Sequence, residues 1–336
     1  MPRVSILLPV CDAAPTLERA LASCLTQTWR DLEIVAVDDH SCDGSSEILR
    51  AMAMRDPRVH VVTAPDPGGI VVALQSAVGA ALGDLLARMD ADDACRPERI
   101  ERQVALLDAQ PDLSLVGCQV SIRRPDGDLG EGYARYQEWL NACLSPEQIA
   151  RESFIESPLP HPSVMMRREA LEAVGGYQDV PWAEDYDLWL RMLAAGMRLA
   201  KVPDVLLEWE DGESRLSRRD ERYSLESFQR CKAHHLARIA RIREHGTVIW
   251  GAGLIGKRMA RFLQREGITI HRFVDINPRR IGKRIGGIGV CGVDDIGELG
   301  DPVHLAAVGQ PGRRDEVRRC LLALGGAEGQ DFLCVA

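Results

Sequence analysis

Residues 85–93 read Leu-Leu-Ala-Arg-Met-Asp-Ala-Asp-Asp, a short apolar run that ends in a cluster of three carboxylates. The apolar part predicts a buried β-strand, which would carry the carboxylates to its C-terminal end. The same alternation of apolar runs and helix-like segments precedes it, with strands predicted at 4–10, 33–39 and 58–63 and helices at 16–27, 45–53 and 71–82. Strands that alternate with helices predict an α/β domain with a parallel sheet, whose ligands bind beyond the carboxyl ends of the strands.

The three carboxylates of this cluster belong to Asp90, Asp92 and Asp93. Carboxylates this close raise one another's pKa unless a positive charge lies between them, and oxygen ligands suit Mg²⁺ or Mn²⁺. A solvated loop that caps the helix predicted near Pro97 is the alternative. A second acidic pair ends the strand at 33–39, where an Asx-type turn into the next helix is the alternative to a binding role.

A second strand and helix begin near residue 247, separated by the turn Gly251-Ala-Gly-Leu-Ile-Gly256. Strands are predicted at 247–250 and 271–275, with a helix at 257–266 between them. Asp275 follows Gly256 by 19 residues. With Gly251 and Gly253 this gives a dinucleotide fingerprint, in which the helix N-terminus faces a phosphate and the acid faces a ribose. These four residues are candidate cofactor-binding residues for a nucleotide, and a domain kept for packing or dimerisation is the alternative.

The length of 336 residues predicts two domains, since one domain usually takes about 100 to 200 residues. Residues 220–245 are charged and contain neither Gly nor Pro, which predicts a connecting helix. We therefore expect a first domain at 1–215, a connecting helix at 216–245 and a Rossmann-like βαβ domain at 246–336.

Charge and cysteine content exclude several classes of protein. The 41 Lys and Arg against 50 Asp and Glu give a net charge of −9, which disfavours nucleic acid as the main partner. Residues 1–200 hold 18 basic and 31 acidic side chains (−13), and residues 201–336 hold 23 and 19 (+4), so the two parts are expected to differ in role. The ten cysteines show no metal-site spacing and are typical of reduced thiols. We expect a cytoplasmic protein, with contact at the inner face of the membrane and a homodimer left open.

Five segments in a fixed order resemble those of family 2 glycosyltransferases with the GT-A fold, over roughly residues 3–210. They are Val4-Ser-Ile-Leu-Leu-Pro-Val10, Ser23-Cys-Leu-Thr-Gln-Thr-Trp29, Val37-Asp-Asp-His-Ser-Cys-Asp-Gly44, Ala87-Arg-Met-Asp-Ala-Asp-Asp93 with Pro97-Glu-Arg-Ile100, and His161-Pro162 through Gly175-Gly-Tyr177 to Glu184-Asp-Tyr-Asp-Leu-Trp189. The region after residue 246 resembles Rossmann-like domains appended to sugar-modifying enzymes. The resemblance implies a GT-A nucleotide-diphospho-sugar transferase domain followed by a Rossmann-like domain.

The resemblance also implies roles for the donor-site residues. Asp39 would accept a hydrogen bond from the imide N–H of a uracil or thymine ring, and Pro9 and Val10 would line the base pocket. Asp90 would reach the ribose side of the nucleotide, and Asp92 would bind Mn²⁺ or Mg²⁺ on the diphosphate. The metal would act as a Lewis acid on the leaving nucleoside diphosphate.

Asp185, with Glu184 as its neighbour, would be the base of an inverting transfer, which must remove the proton of the acceptor hydroxyl. The alternative is that acids here complement the dipole of the helix predicted at 186–195. His161 would contact phosphate or be an ordinary hydrogen-bonded loop histidine.

This chain departs from the family pattern in two places. Cys11 and Asp12 stand where an aromatic residue and Asn are usual, and residues 208–217 lack the histidine of a segment that closes over the diphosphate. Arg215, or Arg218 or Arg219, would supply that positive charge instead.

The function implied is inverting transfer of a sugar from a UDP- or dTDP-sugar to a glycan or lipid-linked acceptor. A nucleotidyltransferase is one alternative, disfavoured because residues 11–15 lack a Gly-rich loop. A non-catalytic nucleotide-sugar-binding or scaffold protein is the other, and it would have no need of a base such as Asp185.

Overall fold

The computed structural model describes residues 1–124, 127, 129–212 and 215–336. The chain forms two compact units. The first comprises residues 1–150, 158–180 and 184–219, and the second comprises residues 151–157, 181–183 and 220–336. Within the described residues, no helix is both long and apolar enough to cross a membrane.

Up to residue 219 the described chain alternates strands and helices. The strands are β1 Val4–Val10, β2 Leu32–Asp38, β3 Val59–Thr63, β4 Leu85–Arg88, β5 Ala94–Cys95, β6 Leu113–Arg123, β7 Met165–Arg167 and β8 Arg198–Glu210. The helices are α1 Ala14–Leu25, α2 Ser45–Arg55, α3 Ile70–Ala80, α4 Arg99–Ala109, α5 Gly130–Ala142, α6 Pro146–Glu152, α7 Arg168–Ala173, α8 Glu184–Ala194 and α9 Leu216–Arg219, with a 3₁₀ turn at His161–Ser163. The strands and helices predicted between residues 4 and 89 are confirmed to within two or three residues at each end.

The first unit is built on a sheet whose described strands lie in the order β3-β2-β1-β4-β7-β6-β8-β5. β1, β2, β3 and β4 are mutually parallel, and β1 and β2 are buried along their whole length. Such continuous apolar runs are typical of strands covered on both faces. Helix α1 buries Leu17, Ala20, Leu21 and Cys24, a spacing that places one face against the sheet.

The sheet register brings the two acidic clusters to the same edge. Val10 pairs with Asp38 across β1 and β2, and Leu7 pairs with Arg88 across β1 and β4. Asp39 and Asp90 therefore both leave the carboxyl ends of strands that flank β1. This is the edge at which open α/β sheets bind ligands.

The far half of the sheet is mixed, which the periodicity of residues 1–89 does not indicate. β7 runs antiparallel to both β4 and β6, whereas β6 and β8 are parallel to each other. β5 pairs antiparallel with β8 through Ala94 and Glu208. This pairing places the end of β8 beside the acidic loop that connects β4 to β5.

The second unit carries its own sheet, with described strands in the order β11-β12-β10-β9-β13-β14. The strands are β9 Thr247–Trp250, β10 Ile270–Val274, β11 Arg284–Ile285, β12 Ile288–Cys291, β13 Val303–Ala306 and β14 Phe332–Cys334. The helices are α10 Leu225–Leu236, α11 Ala240–His245, α12 Leu254–Arg265 and α13 Pro311–Ala323, with 3₁₀ turns at Glu221–Tyr223 and Val293–Asp295. β9, β10, β12, β13 and β14 are linked by parallel pairing, which is a Rossmann-like arrangement.

Residues 216–245 do not form the single helix that their composition predicts. They contain α9, a 3₁₀ turn, α10 and α11 as separate pieces. Ser224 has extended backbone and its side chain accepts a hydrogen bond from the Ser227 N–H, so it begins α10 as an N-cap. Ile239 is again extended and separates α10 from α11. The prediction overlooked the capping serine because the charged residues around it favour helix on both sides.

Candidate active site

Asp39 is held at the end of β2 by the main chain around it. Its own N–H donates to the Val10 carbonyl at 2.7 Å, and its two carboxylate oxygens accept the Gly69 N–H at 2.9 and 3.1 Å. Gly68 has φ +77°, and a Cβ there would lie 2.4 Å from Asp39 Oδ1. The carboxylate is therefore fixed in direction and partly exposed, and an ionised carboxylate retains lone pairs for a further donor.

Pro9 and Val10 are buried in β1, and Val10 belongs to the core of the first unit. The Val10 side chain therefore cannot line a pocket as predicted, since it faces the core. Its carbonyl oxygen already accepts the Asp39 N–H. What these two residues contribute at this edge is main chain that fixes Asp39.

Asp12 and Asp43, in the loops after β1 and β2, join those loops together. The Asp12 carboxylate accepts the Cys42 N–H at 2.7 Å, and Asp43 accepts the Ala14 N–H at 2.8 Å. Asp43 also accepts from Ser45, which lowers its pKa. The Asx-type turn weighed for this acidic stretch is thus present, and the unusual Asp12 is part of the same loop junction.

The acidic loop after β4 brings three carboxylates together. One oxygen each of Asp90, Asp92 and Asp93 lies within 4.8 Å of the others. Burial and the neighbouring Asp90 raise the pKa of Asp92 to about 6, and burial with the same neighbours raises that of Asp93 well above its ordinary value. Asp93 Oδ1 accepts the Glu210 N–H at 2.8 Å, whereas its Oδ2 is buried without a hydrogen-bond partner among the described residues. A buried carboxylate oxygen without a donor, beside two further carboxylates, fits the ligand set of a divalent cation.

Arg88 lies directly beneath this loop, and our interpretation of the sequence gave it no role. Its side chain is 2% exposed, and its Nη2 donates to Asp90 Oδ1 at 2.5 Å. Burial alone would lower its pKa, but the Asp90 carboxylate more than offsets this and the pKa is raised. The available signal was an arginine inside an otherwise apolar strand, since a buried strand position seldom takes a charge without a partner.

Asp185 and Glu184 begin α8, where acids are favoured by the helix dipole. Asp185 is partly exposed and its Oδ1 accepts the Tyr186 N–H at 2.7 Å, whereas Glu184 is buried. Burial and the adjacent Glu184 raise the pKa of Asp185 to about 8, against a lowering effect of Arg88. A carboxyl group with such a pKa binds a proton at near-neutral pH, which a base requires.

His161 is 7% exposed and both of its ring nitrogens face protein groups. Nε2 lies 2.9 Å from the Tyr177 hydroxyl and Nδ1 lies 3.8 Å from Glu184 Oε1. Burial lowers the pKa of His161 well below its ordinary value, so the ring is neutral. This geometry favours the hydrogen-bonded loop histidine over the phosphate contact.

Arg215 stacks on Trp209, with its guanidinium carbon 4.7 Å from the ring centroid. Its charge lowers the pKa values of Asp92 and Asp93, so it lies within electrostatic reach of the acidic loop. Arg218 instead pairs with Asp211 at 2.6 Å. Of these two arginines, Arg215 is the one placed to act on a ligand of the acidic loop.

The glycine-rich turn of the second unit is tightly packed. A Cβ on Gly256 would lie 1.9 Å from the Gly251 carbonyl oxygen, and Gly251 has φ +105°. Asp275 accepts the Ala252 N–H at 2.7 Å and the Arg280 Nη1–H at 2.9 Å. A Cβ on Gly253 would meet only Arg280, at 3.8 Å. The four predicted residues therefore come together as the fingerprint predicts.

Comparison with known proteins decides the family. Residues 5–175, which are 171 of the 336 residues, match the family described as glycosyl transferase family 2. The chain belongs to this family. Family 2 members of similar sequence include the amylovoran biosynthesis glycosyltransferase AmsE of Erwinia amylovora, 31% identical over 60% of this chain and 73% of that protein. The putative glycosyltransferase EpsE of Bacillus subtilis is 27% identical over 69% of this chain and 82% of its own length.

The fold of this family 2 member is also found in a solved structure. The S. aureus TarS fragment 1–349, in complex with UDP-GlcNAc, matches 79% of this chain and 72% of that chain with a TM-score of 0.57. At 16% identity this likeness shows the fold alone. The GT-A fold, the family and the enzyme class implied by the sequence are therefore confirmed: the protein is a glycosyltransferase. The family match ends before Asp185 and before the second unit.

Proposed function

We propose that this glycosyltransferase moves a sugar from a UDP- or dTDP-sugar to an acceptor hydroxyl, with inversion at the anomeric carbon. The observation that carries the proposal is that one edge of the first sheet brings together a fixed Asp39, the carboxylates of the acidic loop and Asp185. These supply a base-recognition group, a cation site and a proton acceptor in one place. The relative named for amylovoran biosynthesis supports a growing glycan, free or lipid-linked, as acceptor.

Asp39 selects the nucleobase in this proposal. Its carboxylate is fixed by Gly69 and can only accept hydrogen bonds, so it favours a ring that offers an N–H at its imide position. Uracil and thymine offer this N–H, and cytosine does not. The preference for UDP or dTDP follows from this single group.

Asp92 and Asp93 would hold Mn²⁺ or Mg²⁺, with Asp90 reaching the ribose side of the donor. Both residues have raised pKa values and Asp93 has an unpartnered oxygen, which are the costs that a divalent cation removes. When bound, the cation supplies Lewis-acid stabilisation of the negative charge on the departing diphosphate. Arg215 adds a positive charge on the same side of the donor.

Asp185 would take the proton of the acceptor hydroxyl while that oxygen bonds to the anomeric carbon. The electron pair of the broken bond leaves with the β-phosphate oxygen of the nucleoside diphosphate. Because the pKa of Asp185 is about 8, the ionised fraction of this base increases as the pH rises toward that value. The buried Glu184 raises this pKa and would not itself meet the acceptor. We assign His161 to packing under the site rather than to phosphate.

The second unit has two candidate roles, nucleotide binding and packing. The close contact between Gly256 and Gly251 accounts for the glycines without a ligand, and Asp275 is engaged by Ala252 and Arg280. These contacts favour packing or dimerisation. Adding NAD(H), NADP(H), UDP-sugars or acetyl-CoA to the full chain separates the roles: a thermal shift that persists in Asp92→Asn with one of them would establish binding here.

The proposed function is tested by release of UDP from a panel of UDP-sugars with Mn²⁺. The wild-type chain is compared with Asp92→Asn, Asp185→Asn and, as matched control, Asp84→Asn, an exposed aspartate before β4. We expect release by the wild type and the control and its loss in the two site variants. Equal release by all four proteins would overturn the mechanism.

A further inference from the structure

Arg88 is a buried cation that the proposed mechanism does not use. It is the last residue of β4, and its main chain is fixed on both sides: its N–H donates to the Val164 carbonyl at 2.8 Å, and its carbonyl accepts from Arg99 at 2.7 Å. The guanidinium donates to the Met89 carbonyl and to Asp90 Oδ1. Its Nε is buried and has no hydrogen-bond partner among the described residues. The side chain thus gives up one hydrogen bond in order to lie where it does.

A buried arginine is costly, and an apolar side chain of similar size would usually pack at least as well. A position that keeps this charge, with one donor unpaired, is poorly explained by stability. The charge faces acidic groups on two elements: Asp90 in the loop after β4, and Glu184 and Asp185 at the start of α8. It also faces Tyr177, the hydrogen-bond partner of His161.

The contact with Asp90 has a direct consequence for the acidic loop. Arg88 occupies Oδ1 of Asp90, and no other hydrogen bond to this carboxylate is present in the described part of the chain. Asp90 can therefore present only its second oxygen to a ligand, and a fixed positive charge disfavours a cation on Oδ1. Asp92 and Asp93 carry no such pairing with Arg88.

We propose that Arg88 is a positioning residue, which holds Asp90 so that one oxygen faces the nucleotide and leaves the cation to Asp92 and Asp93. The inference rests on the proposed function, because it assigns the division of roles within that site. It requires Arg88 to act through Asp90, so that the two residues behave as one unit.

The test is a double-mutant cycle read by binding of UDP in Mn²⁺, measured by titration calorimetry on the full chain. We expect Arg88→Met and Asp90→Asn each to weaken UDP binding about tenfold or more. The double variant should bind within about twofold of the weaker single variant. Arg88→Lys, which keeps the charge, should recover part of the loss. Arg58→Met is the matched control, since it removes an arginine paired with Asp56 at 2.8 Å outside the site and should leave UDP binding unchanged.

A merely structural arginine would lower the melting temperature but leave the UDP affinity of the folded chain and its coupling to Asp90 unaffected, and that result would overturn the inference. Additive losses from Arg88→Met and Asp90→Asn would also overturn it. Wild-type binding of UDP without turnover of any UDP-sugar would count against the proposed function and leave the inference standing if the coupling is present. Absence of UDP binding by the wild type would overturn both.

Discussion

Replacing Asp92 by Asn should stabilise the metal-free protein, although it should abolish activity. The pKa of Asp92 is raised from its ordinary value of 3.8 to about 6 by burial and by Asp90. A raised acid pKa means that the folded state holds the proton more tightly than the unfolded state, so stability is lost as the pH rises from 3.8 through 6. At 1.36 kcal/mol per pKa unit the loss is on the order of 3 kcal/mol by pH 8, and about half of that at pH 5.

The asparagine side chain does not ionise and escapes this loss. In EDTA we therefore expect the free energy of unfolding of Asp92→Asn to exceed that of the wild type by about 3 kcal/mol at pH 8 and by about half as much at pH 5. Urea unfolding at the two pH values measures the difference. Asp84→Asn is the control and should change little at either pH, because Asp84 is exposed.

Mn²⁺ should reverse the order of the two proteins at pH 8. A ligand at 100 times its dissociation constant adds about 2.7 kcal/mol of stability, which the wild type gains and Asp92→Asn does not. A variant that is less stable than the wild type in EDTA at pH 8, or whose advantage is the same at pH 5, would refute the reasoning that burial of an unpaired charge, rather than a lost contact, dominates at this loop.

Three further substitutions test other parts of the structure. Asp185→Asn should lower kcat for UDP release by about 10²- to 10⁴-fold with a donor KM within a few-fold of the wild type, and an unchanged kcat would remove Asp185 as the base. Arg215→Ala should raise the donor KM about tenfold because it removes a charge-assisted contact, whereas an unchanged KM would exclude it from the diphosphate site. Gly256→Ala would place a Cβ 1.9 Å from a main-chain carbonyl and should cost about 3 kcal/mol or more, seen as a lower melting temperature. Gly312→Ala, in open space on α13, is its control and should be neutral or slightly stabilising.

The first half of the sheet could be predicted because each element there carries its own signal. The run Val4–Val10 is apolar throughout and has the predicted bounds, and the same holds for Thr247–Trp250. Their neighbours in the sheet are also their neighbours in sequence, linked by helices, so alternation alone fixes the topology. The Asp residues at the ends of these strands could be placed at one edge for the same reason.

The far half of the sheet could not be predicted in this way. β6 and β8 are separated by about 75 residues, and their pairing contains register shifts between Leu113 and Leu115 and around Gln119. Such pairing is set by tertiary packing, to which local periodicity is blind. The consequence for the site is specific: Glu210, at the end of β8, donates its N–H to Asp93, a contact that no motif in the sequence indicates.

The residues that sequence patterns missed are those that act on the electrostatics of others. Asp92 and Asp185 are recognisable because carboxylates at strand and helix ends are unusual in themselves, whereas Arg88 gains its meaning only from what surrounds it. Without its positive charge, the carboxylates of Asp90 and Asp185 would face each other across the site with no buried cation between the two elements that carry them. The acidic loop alone is destabilised by its own charges, and Arg88 relieves this at Asp90 while Asp92 and Asp93 retain raised pKa values. A site balanced in this way leaves its unmet charge where an incoming cation would bind, so the same repulsion that lowers the stability of the metal-free chain provides the driving force for metal binding.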